Sequence, residues 1–133
     1  EGVQSWRLSF IPPTCIPRKV LDIGCGVTQP YKPFLEHLGE YVGIDTKDGP
    51  GVVHMNAHNL DFPDDEFGFV WMSEVLEHVD NPERVISEAK RVGKHVVCLV
   101  STAANQYFKL DPSHKIVKLP YMTFNTGDGG IIW

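Results

Sequence analysis

The sequence predicts an α/β fold in which a doubly wound, mostly parallel sheet carries helices on its faces. Three segments predict it. The apolar run Val20-Leu21-Asp22-Ile23 enters the glycine pair Gly24-Cys25-Gly26, as a strand does when it leaves the sheet through a tight turn. Residues 82–92 carry Val85, Ile86, Ala89 and Val92 at helical spacing. The run Val96-Val97-Cys98-Leu99-Val100 lacks polar alternation, as a parallel strand buried on both faces does.

Residues 1–17 hold Trp6, Phe10 and Ile11 and then Pro12, Pro13 and Pro17, which break any long helix and make a packed lead-in. The first strand is expected at Lys19–Ile23. A short helix at about Lys32–Leu38 follows, with Phe34, Leu35 and Leu38 on one face and Gly39 as its stop. The second strand is Tyr41–Asp45. Between it and Val52-Val53 lies only Thr46-Lys47-Asp48-Gly49-Pro50-Gly51, short for a parallel crossover, and a third strand is expected at Val52–Met55. The fourth, Gly68–Met72, follows an acidic turn, Asp61–Glu66, in place of a helix. Asn81 can cap the helix Pro82–Val92, Pro82 fits its first position, Glu83 suits its dipole and Gly93 ends it. After the fifth strand, Ile116–Leu119 and Gly130–Trp133 are candidate short strands, and Asn125–Gly130 reads as a flexible turn.

At 133 residues the chain is expected to be one domain with a single core. The formal net charge of −5 comes with no basic stripe, which disfavours nucleic acid as a partner. Cys15, Cys25 and Cys98 are widely spaced, and Cys98 sits in an apolar strand, so a reduced, cytoplasmic compartment is expected. The sequence has no apolar run of membrane-spanning length and no charged-then-apolar leader, so neither a membrane span nor a signal peptide is expected.

Glycine at 24 and 26 lets a ligand approach the main chain. A dinucleotide site would normally add a third glycine and an open helix N-terminus, whereas here Val27-Thr28-Gln29-Pro30 follow. Asp22 beside the turn repels a phosphate and favours a cation, such as the sulfonium of S-adenosylmethionine. Asp45, at the end of the second strand, stands where a doubly wound sheet places the carboxylate that accepts hydrogen bonds from a ribose diol. Its plainer reading is a residue that ends a strand at a turn.

From about Arg18 to Asn105 the chain resembles the class I S-adenosylmethionine-dependent methyltransferases, and among them the type 11 methyltransferase domain. The resemblance rests on Val20 to Gly26, on Gly43-Ile44-Asp45, on Asn56-Ala57-His58-Asn59-Leu60 with Phe62-Pro63-Asp64, and on Ser73-Glu74-Val75-Leu76-Glu77-His78-Val79. It implies a minimal Rossmann-like sheet of order 3-2-1-4-5 in a single domain, with residues 1–17 as lead-in, 18–105 as core and 106–133 as a short, atypical tail. The tail leaves open whether the usual antiparallel hairpin closes the sheet. Missing strands would expose an edge to a second copy or a partner chain.

The resemblance further implies S-adenosylmethionine held by Asp22, Gly24, Cys25, Gly26, Asp45, Asn56, Ala57 and Ser73. Asn56 would take the place of a family acidic residue and accept from the adenine amino group, while Ala57 offers its backbone N–H to a ring nitrogen. Ordinary turn chemistry is the alternative for Asn56, and His58 either packs beside the adenine or faces solvent. Methyl transfer to a small-molecule acceptor is expected, with His78 or Glu74 as base and His114 as the outside candidate. Glu74, Glu77 and His78 form an E-x-x-E-H pattern that a helical turn would bring onto one face, where with His114 it could ligate a divalent ion. Many type 11 domains resemble this segment without metal, and no metal is expected. The alternatives are a catalytically silent S-adenosylmethionine-binding or scaffold subunit, a truncated domain, and an NAD-type oxidoreductase fragment.

Overall fold

The computed structural model describes residues 8, 18–101, 123–125 and 128–132. The elements run β1 (Lys19–Ile23), α1 (Lys32–Leu35), β2 (Glu40–Asp45), β3 (Val53–His54), β4 (Phe67–Ser73), α2 (Pro82–Val92), β5 (Gly93–Ser101), β6 (Thr123–Asn125) and β7 (Asp128–Ile132). They build one seven-stranded sheet of order β3-β2-β1-β4-β5-β7-β6. The first five strands pair in parallel, in the expected order.

The hairpin that the sequence leaves open is present. Strand β7 runs antiparallel to β5, and β6 antiparallel to β7. Asn125 and Asp128 to Gly130, read as a turn from their composition, are paired strand residues, so pairing of β7 against β5 and of β6 against β7 overrides their weak local preference. The free edge of β5 is thereby taken, and the sheet ends at β3 and β6. The candidate strand Ile116–Leu119, the lead-in prolines and His114 lie outside the described residues.

Side chains alternate between the two faces of the sheet. Leu21, Ile23, Val70, Met72, Val96 and Cys98 point to the face that α2 covers with Val85, Ile86, Ala89 and Val92. Val20, Phe69, Trp71, Val97 and Leu99 point to the other, where they meet Tyr31 and Leu35. Helix α1 is shorter than expected: it ends at Leu35 and tightens into a turn in which the Leu38 N–H donates to the Leu35 carbonyl at 2.9 Å. Phe34 is turned outward, 45% exposed, and does not share the buried face. The link between β2 and β3 supports only two pairs, Ile44 with Val53 and Asp45 with His54, so the third strand is shorter than Val52–Met55.

Helix α2 has the expected bounds, and Asn81 caps it by accepting from the Arg84 N–H at 3.1 Å. It also buries a charge that its apolar spacing does not announce. Glu88 is 5% exposed; it accepts from the Leu60 N–H at 2.8 Å and from Arg91 Nε at 2.7 Å. Arg91 holds Glu88 below the usual carboxylate range and donates onward to the carbonyls of Leu60 and Phe62 and to Asp64. The loop before β4 is thus fastened to the helix. Among the described residues no helix is long and apolar enough to cross a membrane.

Gly93 both caps α2 and opens β5, with no connecting residue between them. A Cβ there would lie 2.3 Å from Val70 Cγ2 and 3.1 Å from the Ala89 carbonyl oxygen, so the abrupt exit depends on the missing side chain. Gly93→Ala is therefore expected to lower stability by about 1–3 kcal/mol through overpacking. Urea denaturation measures it, and Val70→Ala in the same chain should recover part of the loss. An unchanged midpoint for Gly93→Ala would contradict this.

Candidate functional site

The carboxyl ends of β1, β2, β3 and β4 lie side by side, where an open parallel sheet binds its ligands. The loop after β1 adopts left-handed backbone at Gly24 (φ 67°) and Gly26 (φ 78°). A Cβ at Gly24 would lie 2.5 Å from Val75 Cγ2, beyond the end of β4, whereas one at Gly26 would meet only Pro30 Cδ at 3.6 Å. The first glycine permits close packing between neighbouring loops; the second leaves open space.

Strand β2 holds this loop. The Cys25 N–H donates to the Ile44 carbonyl at 3.0 Å and the Gly26 N–H donates to Asp45 Oδ2 at 2.9 Å. Asp45 Oδ1 accepts from the Lys47 N–H at 3.0 Å. Asp45 therefore does end its strand at a turn, and it also clamps the glycine loop. A carboxylate has about four acceptor positions, so two are left for a ligand.

Asp22 is not at the open surface of the loop. It is 2% exposed beneath it, and accepts from the Tyr41 hydroxyl at 2.6 Å. Tyr41 and Gly43 lie on the same face of β2, with Gly43 paired to Asp22 across the ladder. A Cβ at Gly43 would lie 2.9 Å from each of Cys25 Sγ, Gln29 Nε2 and the Tyr41 hydroxyl, so glycine makes room for this polar nest. Burial pushes Asp22 up to about 7; the Tyr41 hydroxyl opposes the shift and the Asp45 charge adds to it. Burial likewise pushes the Cys25 thiol up to about 11, which keeps it neutral and a poor nucleophile. Gln29 Nε2 donates to the Gly51 carbonyl at 3.2 Å, tying the glycine loop to the loop after β2. Tyr41 and Gln29 are absent from the sequence-based set; the available signal was Gly43, a strand glycine that marks a close approach.

After β3, Asn56 makes the turn that its composition suggests: its Oδ1 accepts from the His58 N–H at 2.9 Å, and its carbonyl accepts from the Asn59 N–H at 3.0 Å. His58 is half-buried and faces this turn. Ala57 is half-buried beside it, and Leu60 is buried in the core. After β4, Ser73 and Glu74 are half-buried. Glu74 takes left-handed backbone (φ 62°), which is strained for a residue with a Cβ, and its N–H donates to the Leu99 carbonyl at 2.9 Å. The E-x-x-E-H residues do not share a face: in the turn closed by the His78 N–H on the Val75 carbonyl at 3.0 Å, Glu77 is wholly buried while His78 is exposed. Among the described residues no group of three or more His, Cys, Asp or Glu side chains gathers to hold a metal ion.

Residues 21–101 match the family model for the methyltransferase domain, type 11. The chain belongs to that family. Over 79 residues it is 39% identical to an uncharacterized protein of Methanocaldococcus jannaschii, a span of 56% of this chain and 38% of that protein. Its fold is similar to a solved S-adenosylmethionine-dependent methyltransferase from Archaeoglobus fulgidus, with TM-score 0.64 and 25% identity over 77% of this chain and 55% of that one. It is also similar to one from Aquifex aeolicus, with TM-score 0.64 over 86% and 80% of the two chains; at 17% identity that likeness is one of fold. The chain thus spans about half or less of the first two of these relatives. Family and fold together make this a class I S-adenosylmethionine-dependent methyltransferase domain.

The folded environment raises the Asp22 pKa from its ordinary value near 3.8 to about 7, so the fold favours the neutral carboxyl. Its contribution to stability is full below about pH 4 and is lost as the pH rises through about 7. Asp22→Asn should remove this slope, leaving the variant more stable than the parent by about 1–3 kcal/mol at pH 8 and closely matched at pH 4. Chemical denaturation across that range measures it; parallel pH profiles would contradict it.

Proposed function

We propose that this chain binds S-adenosylmethionine along the rim formed by β1 to β4 and transfers its methyl group to a small-molecule acceptor. One observation carries the reading most: two glycine positions, an Asp45 carboxylate with spare acceptor capacity, and a strained Glu74 converge on adjacent strand ends from three separate segments. The residues fit the donor. Gly26 leaves room for a ligand against the main chain, and Asp45 suits a ribose diol. A pyrophosphate fits less well, because α1 begins only at Lys32 and does not open from the glycine loop.

In this reading Gly24, Cys25 and Gly26 line the methionine portion, Asp45 accepts from the ribose, Asn56 and Ala57 meet the base, and Ser73 and Glu74 border the methionine end. Asp22 acts from beneath: a cation entering the cradle favours its ionised form and is favoured by it. The bound donor supplies a methyl group on a sulfonium, whose departure as a neutral thioether needs little covalent help. The chain's part is to hold acceptor and methyl in line, an effect worth several kcal/mol of the roughly 8–23 that enzymes supply. His78, exposed beside the rim, or Glu74 takes the proton of a hydroxyl acceptor. The buried Cys25 thiol, outside any disulfide, accords with a reducing compartment such as the cytoplasm.

Calorimetry with S-adenosylmethionine and its demethylated product, followed by transfer of labelled methyl to a panel of hydroxyl, amine and carbon acceptors, tests the proposal. Binding without turnover on any class would support a catalytically silent binding subunit instead, and affinity for a nicotinamide dinucleotide in place of S-adenosylmethionine would sink the proposal. Asp45→Ala should weaken product binding about 10- to 100-fold, since it removes charge-assisted ribose bonds and the clamp on Gly26. An unchanged dissociation constant would take Asp45 out of the site.

A further inference from the structure

Asn56 Oδ1 accepts from the His58 backbone N–H at 2.9 Å and lies 2.8 Å from His58 Nδ1. A backbone N–H is a donor only, which identifies the atom facing it as the oxygen and not the amide nitrogen. At the other side of the ring, Nε2 is 3.1 Å from the Asn81 N–H, also a donor only. Nε2 must accept and carries no proton. In the neutral imidazole the proton is then on Nδ1, which donates to Asn56 Oδ1. A carbonyl oxygen has two lone pairs, and both are now used. The part of Asn56 left for a ligand is its NH2 group.

We propose that His58 is a specificity-determining residue of the donor site: by occupying Asn56 Oδ1 it makes Asn56 a hydrogen-bond donor to the base, directed to a ring nitrogen and not to the exocyclic amino group. This rests on the reading above that Asn56 faces the adenine of the bound donor. It reverses the polarity of a carboxylate at the same position, which only accepts. The expectation that the Asn56 amide accepts from the adenine amino group is thereby replaced. The arrangement is set at a distance by α2: Asn81, whose N–H fixes the ring tautomer, is the helix cap, and Arg84 Nε in the first turn donates to the His58 carbonyl at 2.9 Å. The imidazole bridges the turn after β3 and the start of the helix, so the base contact follows from how that helix is capped.

The test compares, by calorimetry, S-adenosylhomocysteine with its analogue lacking the 6-amino group, in which adenine is replaced by purine. The loss of affinity on deleting the amino group should agree within about twofold between the parent and Asn56→Ala, because the parent side chain does not use that group. Asn56→Asp, which restores a free acceptor oxygen without touching His58, should make the loss about five- to tenfold larger than in the parent. His58→Ala keeps the backbone N–H on Oδ1 but frees its second lone pair and should enlarge it similarly, and adding Asn56→Ala should abolish the increase. A loss that shrinks in Asn56→Ala relative to the parent, or stays unchanged in Asn56→Asp, overturns the inference while leaving the donor site standing. If His58→Ala proves unfolded by circular dichroism, the two Asn56 variants carry the test alone. A parent chain that binds neither compound overturns the reading of the site and the inference with it.

Discussion

The hydrogen bond from the Gly26 amide to the Asp45 carboxylate is the constraint on which the rim depends. It joins the loop after β1 to the end of β2, and the neighbouring bond from Cys25 to Ile44 continues the same pairing. A carboxylate that accepts two backbone N–H groups is held in one orientation, and a glycine loop so anchored need not reorganise around a ligand. The left-handed backbone at Gly24 and Gly26 costs little because neither carries a Cβ. Among the residues with a Cβ that take that backbone, Glu74 places its strain at the end of β4 on the same rim.

Two buried carboxylates show how differently one fold treats the same group. Glu88 is paired with a forked guanidinium and a backbone amide, and its environment favours the ionised form. Asp22 has a hydroxyl for its partner and the Asp45 charge close enough to be felt, and its environment favours the neutral form. The first is structural, fastening the loop before β4 to α2. The second lies beneath the glycine loop, where the cost of its charge falls if a cation enters. Stability against pH therefore carries opposite contributions from the two: Glu88 adds stability that is lost on acidification, and Asp22 adds stability that is lost as the pH rises toward 7.

The secondary structure of residues 18–101 was largely legible. Strands β1, β2, β4 and β5 and helix α2 follow from apolar runs, helical spacing and the Asn81-Pro82 start, all local signals. Helix α1 was read too long because Phe34 and Leu38 imitate an amphipathic face that a single turn does not sustain. Strand β7 was legible in part, as Gly130–Trp133, but Asp128 and Gly129 read as a turn because glycine has no side chain to signal pairing, and the edge of β5 recruits them. In the E-x-x-E-H segment the sequence suggested a helical face, whereas a tight turn sends Glu77 inward and His78 outward.

By itself the sequence determined the order of strands and helices, the glycine pair, and the carboxylates at 22 and 45, because each is written in residues close together along the chain. Only the tertiary structure decided what those groups meet: that Asp45 clamps Gly26, that Tyr41 reaches Asp22, that Glu88 is buried, and that the His58 ring meets the Asn56 oxygen. The reason is physical. Hydrogen-bond polarity and ionisation depend on which donors and acceptors meet across strands and loops, and those meetings join residues far apart in sequence.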